Sequence, residues 1–366
     1  MRQSKYIYIV ERMTDRILRG DYHVNGIPAE RNLATEFNVS YLTARKAVQE
    51  LLQNGLVSRM PNGRLEISKK DDEKQLHIAL LALAWNSTET NSCNIALTQL
   101  SKKFNFIFRI VYYSHWDDPV IVNTVKNFDA TFLLPPDQPA PVIEKIVSRL
   151  RETQKQFFVI NNDWTQFGVP SIMMFPPVFV QKMLDHLESL GHRRIDCLNV
   201  QRGLSVIPSR IAQWRIWMDS HGLEGNLYDE PTESAIEPIP IAYRIVDKLI
   251  KKGKFDCKSL ICMSESGAIG AMRAMCDHGI RPGKDVALCH TDSGTNSEYA
   301  VPSITSMEKV DEKLYLTTCI KWLQKKERRW VGPLLIQPQD IKVVVRQTTV
   351  PDIDKNRKPE RGKEAE

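Results

Sequence analysis

The sequence predicts an α/β protein in two parts: a small N-terminal helical head closed by a β-hairpin, and a larger body of parallel α/β sheets. Three observations carry this reading. Over residues 4–67, three helical patterns are followed by two β-prone runs flanking Pro61-Asn62-Gly63. From Leu76 onward, apolar strands alternate with helical patterns. The charge is also unevenly placed: residues 1–70 hold 12 Lys/Arg against 7 Asp/Glu, the tail from Asp352 holds 5 of each, and the remaining 281 residues hold 33 against 32. A basic head on a near-neutral body points to a polyanion-binding module joined to a body with a different task.

In the head, Ile9, Met13, Ile17 and Leu18 recur at three- and four-residue spacing, which predicts an amphipathic helix over 4–19, ended by Gly20-Asp21. A second helix is expected from near Pro28, whose missing amide hydrogen suits a first turn. It buries Leu33, Ala34 and Phe37 and stops at Asn38. Ser40 is a good N-cap for a third helix running to Gln53. One face of that helix carries Ala44, Ala47, Val48 and Leu51; the opposite face carries Tyr41, Leu42, Arg45, Lys46 and Gln49. After Asn54-Gly55 come Leu56–Arg59 and Arg64–Ile67, and Asn-Gly between two such runs is a strong hairpin signal. The product is a helix-turn-helix with a β wing. Its third helix fits a major groove, where exposed side chains reach base edges while flanking cations hold phosphates. Arg45 can contact a guanine or a phosphate; Arg31, Lys46 and Arg64 suit phosphates.

The run IPAERNLATEFNVSYLTARKAVQELLQNGLV resembles the winged helix-turn-helix of GntR-type transcriptional regulators. Pro-Ala-Glu-Arg at 28–31, Leu33-Ala34, Val39-Ser40, Thr43 and the Leu-x-x-x-Gly-Leu ending at Leu56 carry the resemblance, which covers about residues 5–68. It implies double-stranded operator DNA as partner, with contacts from Arg31, the start of the third helix (Ser40, Tyr41, Leu42, Thr43), Arg45 and the wing glycine Gly63. Tyr41 stands where many members carry Arg, and the loop from Tyr22 to Ile27 is short. The first departure bears on the operator sequence, and the two together leave a vestigial head open.

The charged segment Lys69–Gln75 marks a boundary, so the expected organisation is a head over 1–68, a linker over 69–75, a body over 76–350 and a disordered tail over 351–366. In the body, strands are predicted at Leu76–Ala84, Phe106–Tyr112, Ala130–Leu134, Phe157–Ile160, Ile195–Val200, Ser259–Met263 and Asp285–Cys289. Helices between them include 94–103, 141–153, 178–190, 209–220, 242–252 and 266–278. About 275 residues is long for one such sheet, so two lobes with a cleft between them are expected. In open parallel sheets, ligands bind beyond the carboxyl ends of strands. The residues falling there are Trp85-Asn86, Asn161-Asn162-Asp163-Trp164, Gln201, Ser264-Glu265 and Asp292. Carboxylates and amides with an aromatic face suit a carbohydrate or polyol, although strand-end polar residues are also common without a ligand. Trp214 reads as core, and Gly267-x-x-Gly270 as a close-packed helix rather than a phosphate loop.

HLESLGHRRIDCL at 186–198, LICMSESGAIGAMRAMCDHGIRPGKDVAL at 260–288 and VPSITSM at 301–307 resemble the effector domain of LacI/GalR-type repressors, which is similar to periplasmic sugar-binding proteins. The resemblance extends over about 76–350 and implies that Arg210 and Asp292 grip sugar hydroxyls. Ser264-Glu265 stands where that family has Asn-Asp, and Asn161 where it often has Asp, so the ligand need not be a typical hexose. A GntR-type head on a LacI-type body is similar in architecture to arabinose repressors. The expected function is a homodimeric, sugar-controlled repressor of carbohydrate-use genes.

The alternatives are a sugar-binding module with a vestigial head and an enzyme with a nucleic-acid-targeting head. Against catalysis, the sequence lacks Gly-x-x-x-x-Gly-Lys, Gly-x-Gly-x-x-Gly, Gly-x-Ser-x-Gly and His-Glu-x-x-His. No cofactor or metal is expected, since the seven cysteines (93, 197, 257, 262, 276, 289 and 319) form no Cys-x-x-Cys pair or Cys/His cluster. With 42% hydrophobic and 26% charged residues the composition is that of a globular protein. The longest apolar run, Ile78–Trp85, has eight residues, short of the ~20 that span a bilayer, and the N-terminus has no signal-peptide pattern. A cytoplasmic protein without a membrane partner is expected.

Overall fold

The computed structural model describes residues 5–18, 21–22, 26–68, 75–84, 87–233, 236–294, 296–325 and 333–351. The expected linker (but for Gln75) and the tail beyond Pro351 lie outside them. The described residues fall in two compact units. One is drawn from Met1–Pro136, Ala140–Ile172 and Glu312–Ile336; the other is drawn from Asp137–Pro139, Met173–Asp311 and Gln337–Glu366.

The first unit begins with helices α1 (Lys5–Leu18), α2 (Glu30–Glu36) and α3 (Tyr41–Gln53), then strands β1 (Val57–Arg59) and β2 (Leu65–Ile67). Ile9, Met13 and Ile17 form one stripe of α1 and pack with Leu33, Ala44, Ala47, Val48, Leu51, Val57 and Leu65 in a small core. The small Ala44 and Ala47 let the helices approach closely. Helix α2 starts two residues after Pro28, with Ala29 at the N-cap position. Asn38 makes the turn to α3 in the left-handed region, at φ 49°, which Asn tolerates better than most side chains. Ser40 caps α3, its Oγ accepting from the Thr43 amide at 3.2 Å.

The wing pairs antiparallel, Val57 opposite Ile67 and Arg59 opposite Leu65. Its turn differs from a two-residue Asn-Gly turn. The Gly63 amide donates to Met60 O and the Met60 amide to Arg64 O, each at 2.8 Å, with Gly63 at φ +79°. This is a three-residue loop with glycine in the left-handed position; Pro61, fixed in φ, favours its first turn position.

The rest of this unit is a parallel sheet ordered β13-β7-β6-β5-β3-β4. Its strands are β3 (His77–Leu83), β4 (Ile107–Tyr113), β5 (Ala130–Leu133), β6 (Gln156–Ile160), β7 (Ser171–Ile172) and β13 (Leu335–Ile336). Helices α4 (Thr88–Phe104), α5 (Pro119–Asn127), α6 (Ala140–Glu152) and α11 (Glu312–Leu323) accompany it. Strand β3 is buried from Ile78 to Leu83, as expected of a strand covered on both faces. Helix α5, which the sequence reading did not name, starts at Asp118-Pro119: Asp118 Oδ1 accepts from the Val120 amide at 3.0 Å, and Pro119 occupies the first turn.

The second unit holds a sheet ordered β14-β12-β11-β10-β8-β9. Strands β8 (Asp196–Asn199), β9 (Leu227–Asp229), β10 (Ser259–Cys262), β11 (Ala287–Ser293) and β12 (Thr305–Met307) are parallel; β14 (Val343–Val344) is antiparallel to β12. Helices α7 (Val180–Ser189), α8 (Val206–Ser220), α9 (Pro238–Lys251) and α10 (Glu265–Asp277) connect them. Strands of two or three residues are too short to show a period, so β7, β9 and β12–β14 escape sequence reading. Strand β11 starts two residues later than predicted and runs through Ser293. Asp285 is instead held in a turn, accepting from the Arg281 amide at 2.7 Å and from its guanidinium. Asp292 therefore lies within β11, not after it.

Trp214 is buried and donates its indole N–H to Ile195 O at 3.2 Å, a core role. Gly270 marks the close approach of α9 and α10. A Cβ there would lie 2.4 Å from Ile239 O and 2.9 Å from Tyr243 N, both backbone atoms, whereas at Gly267 the nearest neighbours would be side-chain atoms at 3.4 Å. Gly270→Ala is expected to destabilise the fold by about 1–3 kcal/mol. Gly267→Ala, in the same helix, should be neutral or stabilising by up to about 1 kcal/mol. Urea unfolding of both variants separates overpacking from helix propensity; equal midpoints would show that the helices can part freely.

Candidate DNA interface and effector site

Helix α3 buries Ala44, Ala47, Val48 and Leu51 and leaves Tyr41, Leu42, Arg45, Lys46 and Gln49 exposed. Arg31, Ser40, Gly63 and Arg64 are also exposed, and Thr43 is half-buried beneath Ser40, the two hydroxyls 2.9 Å apart. The Lys46 ammonium lies 4.0 Å from the centre of the Tyr6 ring, so it is shared between α1 and the exposed face. The organising group is Glu30, at the start of α2. Its carboxylate accepts from the Tyr41 hydroxyl at 2.8 Å and pairs with the Arg59 guanidinium, and Arg59 Nη1 also donates to Gly63 O at 3.2 Å. One carboxylate thus ties α2, the start of α3 and the wing. Burial pushes the Glu30 carboxyl up, but the Tyr41 and Arg59 hydrogen bonds outweigh it and hold it below the usual range. The same bond to Glu30 raises the Tyr41 phenol.

In the first unit, Trp85 and Asn86 lie outside the described residues. Asn161 follows β6 at φ 58°, its amide donating to Ile172 O at 2.7 Å. Asp163 is exposed, and Oδ1 accepts from the Thr165 amide at 2.9 Å and its hydroxyl at 2.6 Å. Trp164 offers no stacking face: it is 1% exposed, in the core beside Trp116, with ring centroids 5.8 Å apart. The apolar cover of α5 and α6 draws in the whole indole, although neither Trp116 nor Trp164 finds a partner for its N–H.

The second unit brings four of the sequence-selected residues together at the carboxyl end of its sheet. Arg210, on α8, is 6% exposed. Its Nη1 donates to Asp292 Oδ1 at 2.8 Å, Met263 O at 3.0 Å and Thr291 Oγ1 at 3.3 Å. Asp292 Oδ2 accepts from the Glu265 amide at 3.0 Å. The Ser264 hydroxyl caps α10, accepting from the Gly267 amide at 3.2 Å. The Glu265 carboxylate accepts from the Asn296 amide and the Ser297 hydroxyl, both at 2.9 Å, and from Asn296 Nδ2 at 3.0 Å. Behind it, wholly buried His290 sits with Nε2 2.6 Å from Ser297 Oγ, while Nδ1 accepts from the Asp292 amide at 3.2 Å. Accepting at Nδ1 places the proton of the neutral ring on Nε2, which donates to Ser297, and Ser297 donates onward to Glu265. Two carboxylates and a guanidinium with fixed orientation can bind the hydroxyls of a polar small molecule. No group of three metal-ligating side chains is present among the described residues.

Comparison with known proteins follows the same division. Residues 5–67 match the bacterial regulatory proteins of the gntR family, and residues 184–349 match the periplasmic binding protein-like domain. Over those two spans the chain is similar to a gntR-family regulatory head followed by a periplasmic binding protein-like domain. The lactose operon repressor of Escherichia coli K12 is 23% identical over 356 residues, covering 95% of this chain and 89% of that protein. The HTH-type transcriptional regulator MalR of Clostridium butyricum is 34% identical over 77 residues, 21% of this chain; the match spans only 23% of that protein. A solved LacI family transcriptional regulator from Enterococcus faecium, with bound ribose, superposes with a TM-score of 0.60 at 15% identity. That match covers 75% of this chain and 99% of the solved one, and at such identity it concerns the fold.

Sequence reading passed over Glu30, Arg59, His290, Asn296 and Ser297. Glu30 lay in view within Pro-Ala-Glu-Arg, but its partners stand 11 and 29 residues away. His290 carried a weaker signal, as a polar residue inside an apolar strand.

Burial lowers the His290 pKa to about 4, although Asp292 and Glu265 pull it up; Arg346 and Arg210 add to the lowering. The unfolded chain takes up this proton near pH 6.5 and the folded chain only near pH 4, so His290 costs stability as pH falls through that window. His290→Gln is expected to flatten the fall of thermal stability between pH 6.5 and 4.5. A melting temperature with the same pH slope in both proteins would mean that His290 titrates normally.

Proposed function

We propose that the chain is a sequence-specific, DNA-binding transcriptional regulator: a homodimeric, cytoplasmic repressor of carbohydrate-use genes. The dimer binds double-stranded operator DNA through two winged heads and is controlled by a sugar or related small ligand. The supporting observation is that one chain carries both an exposed basic helix face and a hydrogen-bonded Arg–Asp–Glu site at the strand ends of its second sheet. Its relatives' names point the same way, one being a lactose operon repressor and another having been solved with ribose. The reading takes residues 1–68 as the head, 69–75 as linker, 76–350 as effector-binding and dimerising body, and 351–366 as a tail. It assigns binding rather than catalysis to the chain, and no helix among the described residues is long and apolar enough to cross a membrane.

In this proposal, Arg31, Lys46 and Arg64 hold phosphates and set the register, while Arg45 reads a base edge. The ligand is gripped by Arg210, Asp292 and Glu265, with Ser264 supporting them as a helix cap. Control requires the ligand to bind one arrangement of the heads better than another, typically by ~1–3 kcal/mol.

Fluorescence anisotropy on DNA from upstream of the protein's own gene tests the reading, with a scrambled duplex and pooled sugars as controls. Salt-sensitive binding that prefers the native fragment and weakens with sugar is expected. Equal affinity for both duplexes at every salt concentration, with or without sugar, would count against autoregulation. Arg45→Ala should cost specific binding about 1–3 kcal/mol, and an unchanged affinity would remove it from the recognition set. Asp292→Asn should lose the response to sugar while keeping operator affinity; a normal response would move the effector site elsewhere.

A further inference from the structure

Large apolar side chains stand at the start of α3 where the proposed DNA contact is made: Leu42 is 72% exposed and Tyr41 43%. Single exposed apolar residues are ordinary on protein surfaces, so exposure alone decides nothing. Their setting does. Arg45 and Arg31 are exposed and close enough to act electrostatically on the Tyr41 phenol, and Arg64 is exposed on the wing, a surface suited to a polyanion. The Tyr41 hydroxyl is already committed to Glu30 at 2.8 Å, which leaves the ring, not the polar tip, for a partner. An isobutyl group and a phenyl ring among arginines cannot pair with phosphates or with the donors and acceptors of base edges. The apolar group that a major groove displays is the 5-methyl of thymine.

We propose that Leu42, supported by the Tyr41 ring, reads a thymine methyl group in each operator half-site, and that Glu30 is the positioning residue that turns Tyr41 to this task. Leu42 and Arg45 are neighbours on the helix, about 5–6 Å apart at Cβ, and successive bases rise about 3.4 Å. The thymine therefore lies within about two base steps of the base contacted by Arg45. This inference rests on the DNA-binding reading above.

The test begins by selecting duplexes from a random pool with the full-length protein. Each thymine of the enriched half-site is then replaced by deoxyuridine, which removes the methyl and nothing else. At one position, deoxyuridine should weaken binding about fourfold per half-site, the effect of losing one buried methyl. Leu42→Ala should bind the thymine and deoxyuridine duplexes alike, and Leu42→Met should restore the difference. Leu42 is exposed, so both variants should keep the wild-type circular dichroism melt. An operator in which every deoxyuridine duplex binds as well as its thymine parent would overturn the inference alone. So would discrimination that survives in Leu42→Ala. A pool from which no sequence is enriched would overturn it together with the regulator reading.

Discussion

A guanidinium taken almost wholly out of water governs the chemistry of the second unit. Arg210 is buried, and an unpaired charge there would cost several kcal/mol. Asp292 supplies the counter-charge, and two neutral oxygens, Met263 O and Thr291 Oγ1, share Nη1 with it. Asp292 is itself fixed from both sides, by the Glu265 amide at the start of α10 and, through its own amide, by His290. Glu265 is fixed in turn by Asn296 and Ser297. The ends of β10 and β11, the first turn of α10 and one face of α8 are thus held by a single chain of hydrogen bonds. Such a network is rigid when every member is satisfied and costly when one is missing.

The head is organised around a charge of the opposite sign. Glu30 is an acid among arginines, and a carboxylate on a DNA-facing surface would be unfavourable if it faced phosphates. It is instead consumed internally by Arg59 and Tyr41. The wing, α2 and the start of α3 become one unit, and the face left to solvent is the basic and apolar remainder. The same residues that pack the head thereby select which groups are available to a partner.

Both sites illustrate a difference between groups that are present and groups that are free. Ser264 and Asp163 stand at strand ends, where a ligand would meet them, yet their oxygens already serve a helix cap and a local turn. Trp164 is absorbed into the core. Strand-end position alone could not reveal this, because the competing partners are backbone amides supplied by the local fold.

By itself, the sequence determined the helix-turn-helix, the wing, the parallel strands and the basic head, because each rests on local signals. The stripe Ile9, Met13, Ile17, the cap at Ser40, the glycine at Gly63 and the apolar run of β3 act within a few residues of themselves. Arg210, Asp292 and Glu265 were legible as strand-end or motif residues, but their union was not, since Arg210 and Asp292 are 82 residues apart. Only the tertiary structure decided that Glu30 would spend its charge on the wing, that His290 would stand behind the Asp292–Glu265 pair, and that β7, β9 and β12–β14 would complete the sheets. Long-range pairing and burial depend on what the rest of the chain places nearby, and no window of sequence contains that information.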